Sequence, residues 1–491
     1  MGHKKLSELG LRATAGGDVS VSGLAVDSRL VKEGMLFAAL PGTAVHGGAF
    51  IQYALRMGAS AVLTDAEGAK LAEAELAASD AALIVSENPR QVLAYTAALW
   101  FGAQPETMIA VTGTNGKTSV SSFARMIWQE LGLRAVNLGT TGVEGDWSAP
   151  LAHTTPEPIT LHRTLAAATE AGITHAAMEA SSHGLSQYRL DGVQLAAAGF
   201  TNFTQDHLDY HATFEEYFDA KAALFGRVLG DDGVAVINID DPRGPDMAAI
   251  AQKREIEVIS VGRMEGADIQ LTAQRFHGMG QEVFFKHNSR GYRADLKLMG
   301  GFQAENVLLA AGLVIAAGED PQAVFETLDH METVRGRMQL AATRDNGASV
   351  FVDYSHTPDA IATALKAMRP HVPGRIIAII GAGGDRDTSK RPLMGAAAAK
   401  HADVVIVTDD NPRSETPADI RAAVLQGCPE AYEVGDRAEA ILRGVDLLQA
   451  GDALLIAGKG HETGQTIGDT VLPFDDVEQA SVAVAALEGR I

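Results

Sequence analysis

The sequence predicts an α/β protein of three domains, of which the central one is built on a mostly parallel sheet. Two observations lead to this prediction. The 491 residues exceed what one hydrophobic core usually holds, and typical domain sizes divide them into about three units. Short apolar runs also alternate with segments of helical periodicity along the chain, which is typical of parallel sheets covered by helices.

The composition indicates a globular protein and excludes several classes of function. Hydrophobic residues make up 46% of the chain, without a run of about 18 uninterrupted apolar residues, so we expect neither a membrane span nor a signal peptide. The single cysteine, Cys428, fits a reducing cytoplasm. A formal net charge of -22 argues against nucleic acid as a partner, and anionic ligands would need local Arg, Lys or Mg²⁺.

The first predicted domain, residues 1–88, is a small α/β unit. Its predicted elements are strands at 21–27, 35–40, 61–64 and 82–85, a helix at 49–57 and a linker at Pro89. Asp27-Ser28-Arg29 follows the first strand, and polar side chains at a strand end can meet a ligand. The tripeptide alone is weak evidence for a site.

The central domain, predicted at residues 89–333, begins with the stretch around which the chain is organised. An apolar run at 108–112 predicts a buried strand, and apolar residues recur at helical spacing over 117–131. The turn between them is Gly113-Thr114-Asn115-Gly116-Lys117-Thr118-Ser119. A glycine turn that joins a strand to a helix N-terminus wraps backbone N–H groups around a phosphate.

The side chains of this turn suit a nucleoside triphosphate with Mg²⁺. Lys117 would reach the outer phosphates, and the Thr118 hydroxyl would ligate Mg²⁺. The usual P-loop has a glycine at the position of Val111, so this is a shorter form of the motif. A plain strand-to-helix connection is the alternative, and the Lys-Thr pair in register argues against it.

Polar groups also follow the later strands of the central domain. These strands are predicted at 135–138, 175–179, 197–201, 234–238 and 258–261. Glu179 ends its strand beside the glycine turn, where a carboxylate is a candidate Mg²⁺ ligand. The cluster 206–211 contains His207 and is a candidate metal site, although a structural histidine is the commoner case. Lys221 lies on a predicted helix at 214–228, and the helix alone predicts a solvated lysine.

Other polar positions of this domain keep two interpretations each. Asn238 ends a strand and could hold a ribose or a base, and Asn306 opens an apolar helix and could face the core or an adenine. The loop His153-Thr154-Thr155-Pro156-Glu157 leads into a helix and is by itself typical of a helix cap.

The third predicted domain, residues 334–491, is again α/β, with strands at 350–353, 376–380, 404–408 and 453–457. The strands end in the groups Asp353-Tyr-Ser-His356, Gly383-Gly-Asp-Arg386, Asp409-Asp410-Asn411-Pro412-Arg413 and Gly458-Lys-Gly-His-Glu462. Gly381-Ala-Gly383 hints at a dinucleotide fingerprint, but Arg386 stands where its third glycine should be, so we reject an NAD(P) site.

Taken in order, these motifs resemble those of the Mur ligase family. They are Gly-Thr-Asn-Gly-Lys-Thr, Thr-Thr-Pro, Met-Glu-Ala-Ser-Ser-His-Gly, Asp-His-Leu-Asp-Tyr-His, Asp-Tyr-Ser-His-Thr-Pro-Asp, Gly-Gly-Asp-Arg-Asp, Asp-Asn-Pro-Arg and Gly-Lys-Gly-His-Glu. The resemblance runs from about residue 21 to residue 465, nearly the whole chain.

The resemblance implies a role for each matching position, with Lys117, Lys221 and His207 as catalytic groups. ATP contacts are implied for Gly113, Thr114, Asn115, Gly116, Lys117, Thr118, Ser119, Asn306, Arg337 and Asp353, the last on the ribose. Mg²⁺ ligands are implied for Thr118, Glu179 and His207, and a carbamylated amine for Lys221. The UDP-linked substrate would contact Asp27, Ser28, Thr43, Thr154, Thr155, Ser181, Gln187 and Arg189. The incoming amino acid would contact Arg386, Asp410, Asn411, Pro412, Arg413, Gly458 and Glu462.

The implied reaction is ATP-dependent amide-bond formation in peptidoglycan synthesis. ATP would phosphorylate the D-glutamate γ-carboxylate of UDP-N-acetylmuramoyl-L-alanyl-D-glutamate, and an amine of meso-2,6-diaminopimelate would attack the acyl phosphate. Lys117 and Mg²⁺ would offset the repulsion between carboxylate and γ-phosphate. The resemblance also implies a uridine-binding first domain and a Rossmann-like third domain that closes over the second. We expect a monomer with these small molecules as partners.

Three alternatives stay open. A folylpolyglutamate-synthetase-like ligase shares the phosphate loop but should lack the uridine-binding first domain and Asp-Asn-Pro-Arg. A lysine-adding ligase of the same family shares nearly everything except the Asp-Asn-Pro-Arg chemistry. A non-catalytic nucleotide-binding assembly protein is the third, and the intact set of Lys117, Glu179, His207 and Lys221 argues against it.

Overall fold

The computed structural model describes residues 2–42, 45–204, 210–278 and 280–491. Thr43 and His207, which the sequence assigns to the substrate and metal sites, lie outside the described residues. The chain forms α/β units in the predicted order, each with its own sheet. The limits at 88 and 333 stay a prediction. In the described part of the chain, no helix is both long and apolar enough to cross a membrane.

The first sheet is parallel, and its pairing corrects one predicted strand. Its strands are Leu24–Ala25, Leu36–Ala38, Ala61–Thr64 and Ala82–Val85, and its helices are Ile51–Arg56, Ala66–Leu71 and Glu73–Ala77. A single strand at 21–27 is wrong, because Ser20–Val21 pairs with Lys4–Lys5 in a separate antiparallel ribbon. The ribbon strand ends at Val21, and the first strand of the parallel sheet begins at Leu24.

The linker expected at Pro89 is also wrong, because Pro89 begins the helix Pro89–Phe101. The Asn88 side chain caps this helix, and proline fits the first turn, whose N–H groups have no partner within the helix. Leu93 and Trp100 pack in one hydrophobic core with the strands of the first sheet. The helix therefore packs on the first sheet, and Ile159 of the helix Pro158–Glu170 lies in the same core.

The central sheet confirms the predicted mostly parallel arrangement. Among the described residues it has ten strands, in the order Arg290–Leu296, Gly280–His287, Ile269–His277, Glu257–Gly262, Val234–Asn238, Ala197–Phe200, Thr107–Thr112, His175–Glu179, Ala135–Gly139 and Gly142–Gly145. The middle strands are parallel, so their carboxyl ends lie at one edge of the sheet. The antiparallel strands at its two ends were not predicted.

The helices of the central unit bury apolar faces on this sheet. Val120, Phe123 and Ile127 of the helix Lys117–Glu130 are fully buried, in one core with the helix Phe302–Ala316. Each such side chain contributes about 1.5–3 kcal/mol by leaving water. The other helices are Pro158–Glu170, Ser182–Ser186, Phe214–Ala223 with a π-helical turn Leu224–Val228, Gly244–Gln252 and Pro321–Glu326.

The third sheet contains all the strands predicted for this part of the chain. Its order is Gln339–Thr343, Ser349–Asp353, Ala453–Ala457, Ile376–Ile380, Val404–Val407 and Tyr432–Glu433, and only the first of these described strands is antiparallel. Its helices are Pro358–Met368, Lys390–His401, Pro417–Leu425, Arg437–Asp446 and Asp476–Leu487, and a hairpin joins Gly464–Ile467 to Thr470–Pro473. The polar groups that end the parallel strands therefore lie at one edge.

A buried histidine should make the central unit sensitive to acid. His162 is 1% exposed, and burial lowers its pKa from 6.5 to about 4. Between these values the unfolded chain binds a proton that the native state does not, so stability falls as pH falls. We expect the burial of His162 to lower the free energy of unfolding by about 2 kcal/mol at pH 5 relative to pH 7.

Replacing the histidine tests this expectation. His162→Phe should lose less stability than the wild type between pH 7 and pH 5, as measured by urea unfolding, and the exposed His3→Gln should behave as the wild type. Equal pH dependence in His162→Phe and wild type would contradict it.

Candidate active site

The glycine turn at 113–116 has the geometry of a phosphate cradle. It joins the strand Thr107–Thr112 to the helix Lys117–Glu130, and Gly113 and Gly116 have φ values of 145° and 85°, which side chains with a Cβ avoid. A Cβ on Gly116 would lie 2.7 Å from the Asn306 Oδ1 atom. Because Gly116 precedes the first helical residue, the N–H groups of the first turn are available to an anion.

The neighbouring strand end holds this turn in shape. The Asn202 carbonyl accepts a hydrogen bond from Thr114 N at 2.8 Å, and the Asn202 side chain accepts one from Asn115 N at 2.9 Å. Thr201 Oγ1 donates to the Asn115 carbonyl at 2.6 Å. The backbone of the turn is therefore fixed by the protein itself.

Two lysines meet at the carbonyl of Gly113. Lys117 Nζ donates to it at 2.9 Å and to the Thr114 carbonyl at 2.8 Å, and Lys221 Nζ donates to it at 2.8 Å. Lys221 is 1% exposed, and its Nζ lies 4.4 Å from the centre of the Tyr217 ring. The prediction of a solvated Lys221, which was made from the helix alone, is therefore wrong. The helix directs this side chain towards the phosphate loop.

Glu179 and Thr118 form a group of buried oxygen atoms beside the loop. Thr118 Oγ1 donates to Glu179 Oε1 at 3.0 Å and accepts from Arg337 of the third unit at 2.9 Å. Thr140 donates to the Glu179 carboxylate from its N at 2.8 Å and from its Oγ1 at 3.2 Å. A carboxylate and a hydroxyl are hard oxygen ligands, so this donor set fits Mg²⁺.

A cavity of about 330 Å³ lies against the phosphate loop between the central and third units, and we call it the nucleotide cavity. Asn238, Asn306 and Asp353 line this cavity. The Asp353 carboxylate accepts from Met338 N at 2.7 Å and from Ser355 N at 2.9 Å. A ribose hydroxyl at this point would donate to the same carboxylate as these two backbone N–H groups.

A second cavity of about 520 Å³, the junction cavity, adjoins the same loop. Lys117, Glu179 and Lys221 line it. The positions implied for the peptide substrate that line it are Thr154, Thr155, Ser181 and Arg189. Hydrogen bonds join these residues, since Thr155 Oγ1 donates to the Glu179 carbonyl at 2.8 Å and Arg189 donates to the Thr155 carbonyl at 2.6 Å.

The first unit contributes a cavity of about 760 Å³, the uridine cavity, lined by Asp27 and Ser28. The Arg29 guanidinium, 2.6 Å from the carboxylate, lowers the pKa of Asp27. Phe50 and Tyr53 line the same cavity and are 45% and 47% exposed. Exposed aromatic rings in a cavity suit stacking on a nucleobase.

The third unit contributes a cavity of about 490 Å³, the amino-acid cavity. Its lining includes Arg386, Asp410, Asn411, Arg413, Gly458 and Glu462. Pro412 is buried and is not part of this lining. Arg413 is half-buried, and its Nη1 donates to the Gly384 carbonyl at 2.8 Å, so this arginine borders the cavity instead of standing in solvent.

Sequence reasoning assigned no role to Lys459, which bonds to lining residues of the amino-acid cavity, or to Tyr354, which lines three of the cavities. Lys459 is fully buried and donates to Asn411 Oδ1 at 3.1 Å and to Glu462 Oε2 at 3.2 Å. Tyr354 lines the nucleotide, junction and amino-acid cavities, and burial raises its pKa to about 12, which keeps the phenol protonated. Both lie inside motifs noted in the sequence, and those motifs were the signal that could have found them.

The cavities share lining residues and so lie next to one another. Gly116 and Thr118 line both the nucleotide and junction cavities, and His356 lines these two and the amino-acid cavity. A smaller cavity of about 250 Å³, which we call the neck, shares Arg189 with the junction cavity and Leu40 with the uridine cavity. The nucleotide and junction cavities therefore meet at the phosphate loop, and the amino-acid cavity adjoins them at Tyr354 and His356.

Comparisons with known proteins cover the same three units. The models described as Mur ligase family, catalytic domain; Mur ligase middle domain; and Mur ligase, glutamate ligase domain match residues 20–100, 111–314 and 336–460. The UDP-N-acetylmuramoyl-L-alanyl-D-glutamate–2,6-diaminopimelate ligase of Bradyrhizobium diazoefficiens is 47% identical over 95% of this chain and 96% of its own. The Caulobacter vibrioides protein of that name is 46% identical over 99% of both chains.

A solved structure of a ligase with the same name is 34% identical, has a TM-score of 0.71 and covers 99% of both chains. Identity of this extent along whole chains goes beyond a shared fold. The chain therefore belongs to the Mur ligase family.

Proposed function

We propose that this protein is an ATP-dependent ligase that joins meso-2,6-diaminopimelate to the D-glutamate γ-carboxylate of UDP-N-acetylmuramoyl-L-alanyl-D-glutamate in peptidoglycan synthesis. The names of its relatives support this choice of substrates. The observation that carries the proposal is the junction of three cavities: the nucleotide and junction cavities share the phosphate loop, and the amino-acid cavity adjoins both at Tyr354 and His356. Amide formation through an acyl phosphate needs these three reactants at one point.

In the first step, the γ-carboxylate attacks the γ-phosphorus of ATP, and the bond from that phosphorus to ADP breaks. Both reactants are anions, so the N–H groups of the turn and the Lys117 ammonium offset their repulsion. Lys117 now donates to carbonyls of its own loop and would exchange these bonds for phosphate oxygens. Thr118 and Glu179 would hold a Mg²⁺ ion, which when bound neutralises phosphate charge.

In the second step, an amine of diaminopimelate attacks the acyl carbon, and the tetrahedral intermediate expels phosphate. Arg413 would bind the distal carboxylate, and Glu462 with the Gly458 carbonyl would bind the distal ammonium. Asn411 Nδ2 donates to Glu462 Oε2 at 2.8 Å, and Lys459 contacts the same oxygen, so the carboxylate is held in place. Lysine lacks the distal carboxylate, so Arg413 at the cavity favours diaminopimelate.

The third unit reaches the phosphate loop, which is the arrangement that closure of this unit over the ATP site would give. Arg337 donates to Thr118 Oγ1 at 2.9 Å, and its guanidinium carbon lies 4.6 Å from the centre of the Tyr354 ring. Closure would exclude water from the acyl phosphate.

We also propose that the protein acts as a cytoplasmic monomer with small molecules as partners, which the single buried cysteine Cys428 and the net charge of -22 support.

Phosphate release from ATP tests the proposed function. It should require both UDP-N-acetylmuramoyl-L-alanyl-D-glutamate and meso-diaminopimelate, because each cavity must be filled before an amide can form. Omitting either substrate is the control. Equal phosphate release without the amino acid would contradict the proposed reaction.

Arg413→Ala should remove the selectivity for diaminopimelate. Loss of one charge-assisted pair in a closed site costs about 2–5 kcal/mol, so kcat/KM for diaminopimelate should fall by some tens to thousands. Binding of ATP and of the UDP-linked substrate should stay nearly unchanged. The measurement is the ratio of kcat/KM for diaminopimelate to that for lysine.

The exposed Arg369→Ala is the matched control, since Arg369 pairs with Asp403 away from the cavity lining. A wild type that prefers lysine, or an unchanged ratio in Arg413→Ala, would show that Arg413 does not bind the distal carboxylate.

A further inference from the structure

We propose that Arg90 binds the diphosphate of the UDP-linked substrate, in an anion site between the uridine cavity and the phosphate loop. This inference rests on the proposed function and adds to it a residue of the first unit's helix Pro89–Phe101.

The position of the neck places Arg90 on the path of the substrate. Arg90 and Arg189 both line this cavity. Val26 and Leu40 line both the neck and the uridine cavity, and Arg189 lines both the neck and the junction cavity. A molecule with its base in the uridine cavity and its carboxylate at the phosphate loop therefore passes through the neck.

Among the described residues, neither of the two arginines that line the neck forms an ion pair. The hydrogen-bond partners that the described residues offer are neutral, namely the Pro41 carbonyl for Arg90 and the Thr155 carbonyl and Gln187 Oε1 for Arg189. Burial lowers the pKa of both guanidiniums, and the Arg90 charge lowers the pKa of Arg189 further. Two cations held close together in a protein of net charge -22 indicate a site for an anion.

One acidic residue, Glu157, also lines the neck, and its carboxylate caps a helix. The Glu157 carboxylate accepts from Ile159 N at 2.8 Å and from Thr160 N at 2.7 Å, so it caps the helix Pro158–Glu170. Glu157 raises the pKa of Arg189, but one carboxylate faces two guanidiniums, so the lining of the neck keeps a net positive charge.

The position of each arginine in the neck indicates which anionic group of the substrate it would bind. Arg90 donates to the carbonyl of Pro41, which together with Gly42 lines the neck next to the uridine cavity, whereas Arg189 borders the junction cavity. The diphosphate is the anion next to the uridine, and the peptide carboxylates lie at the other end of the substrate. A guanidinium can donate two parallel hydrogen bonds to phosphate oxygens, which suits Arg90 for this role.

Direct binding of UDP and of uridine tests the inference without any turnover. By calorimetry, Arg90→Gln should bind UDP at least about thirtyfold more weakly than the wild type, while uridine binding stays the same. The matched control is Arg163→Gln on the adjacent helix, because Arg163 is exposed and lines none of the cavities described above. Unchanged ATP affinity of Arg90→Gln checks that the variant is folded.

Two results would overturn the inference, and they separate it from the proposed function. If Arg90→Gln binds UDP as the wild type does but binds the complete UDP-linked dipeptide more weakly, Arg90 contacts a peptide carboxylate and not the diphosphate. The ligase activity of the wild type then still supports the proposed function. If the wild type neither binds UDP nor forms the amide, both proposals fail.

Discussion

Lys117→Ala is expected to lower kcat by at least about a thousandfold, because it removes a positive charge that acts on the phosphoryl group during transfer. The lysine follows a turn whose backbone is fixed by Thr201 and Asn202, so its position relative to a bound phosphate is set in advance. Solvent cannot replace a cation held at this point. The effect should therefore appear in turnover more than in substrate binding.

Initial rates of phosphate release with all substrates saturating measure this loss. Lys253→Ala on an exposed helix end is the control and should turn over as the wild type does. Unfolding midpoints of both variants should match the wild type. Near-normal turnover of Lys117→Ala would refute the assignment of the phosphate loop.

Lys221→Ala should be nearly inactive, with kcat reduced on the order of a hundredfold or more. We propose that the amine carries a carbamate, since an unmodified ammonium beside Mg²⁺ would repel the ion and a carbamate offers it a hard oxygen. The amine is buried and lines the junction cavity together with Glu179 and Lys117, so a carbamate there would face the proposed metal site.

Chemical rescue separates this role from a packing role. Added acetate or formate should partly restore turnover to Lys221→Ala, because a small carboxylate can occupy the space of the carbamate. The control is Lys117→Ala, which the same acids should not restore. An unmodified Lys221 amine in a fully active preparation would contradict the carbamate.

Most of the fold follows from the apolar pattern of the sequence. Buried strands such as Ile376–Ile380 and Ala453–Ala457 are continuous apolar runs between turn residues, and the structure has them at the predicted bounds. The errors come from tertiary packing. Pro89 by itself suits a linker or a helix start, and the Asn88 cap together with the packing of Leu93 and Trp100 on the first sheet decides for the helix.

The site could be predicted where motifs end strands, because parallel strands bring their carboxyl ends to one edge of a sheet. Glu179 and Thr118 were expected near one another on this ground, and a hydrogen bond joins them. Helical residues gave no such signal. The burial of Lys221 and the position of Arg90 depend on which way a helix face points after folding, and local periodicity does not contain that information.

The central claim is that one active site adds diaminopimelate to the UDP-linked dipeptide at the expense of ATP. The measurement that tests it most directly is mass spectrometry of the product formed from ATP, Mg²⁺ and UDP-N-acetylmuramoyl-L-alanyl-D-glutamate with equal amounts of meso-diaminopimelate and L-lysine. The account predicts the diaminopimelate adduct as the dominant product, formed by the wild type and not by Lys117→Ala. A lysine adduct as the main product, or ATP hydrolysis without an adduct, would contradict it.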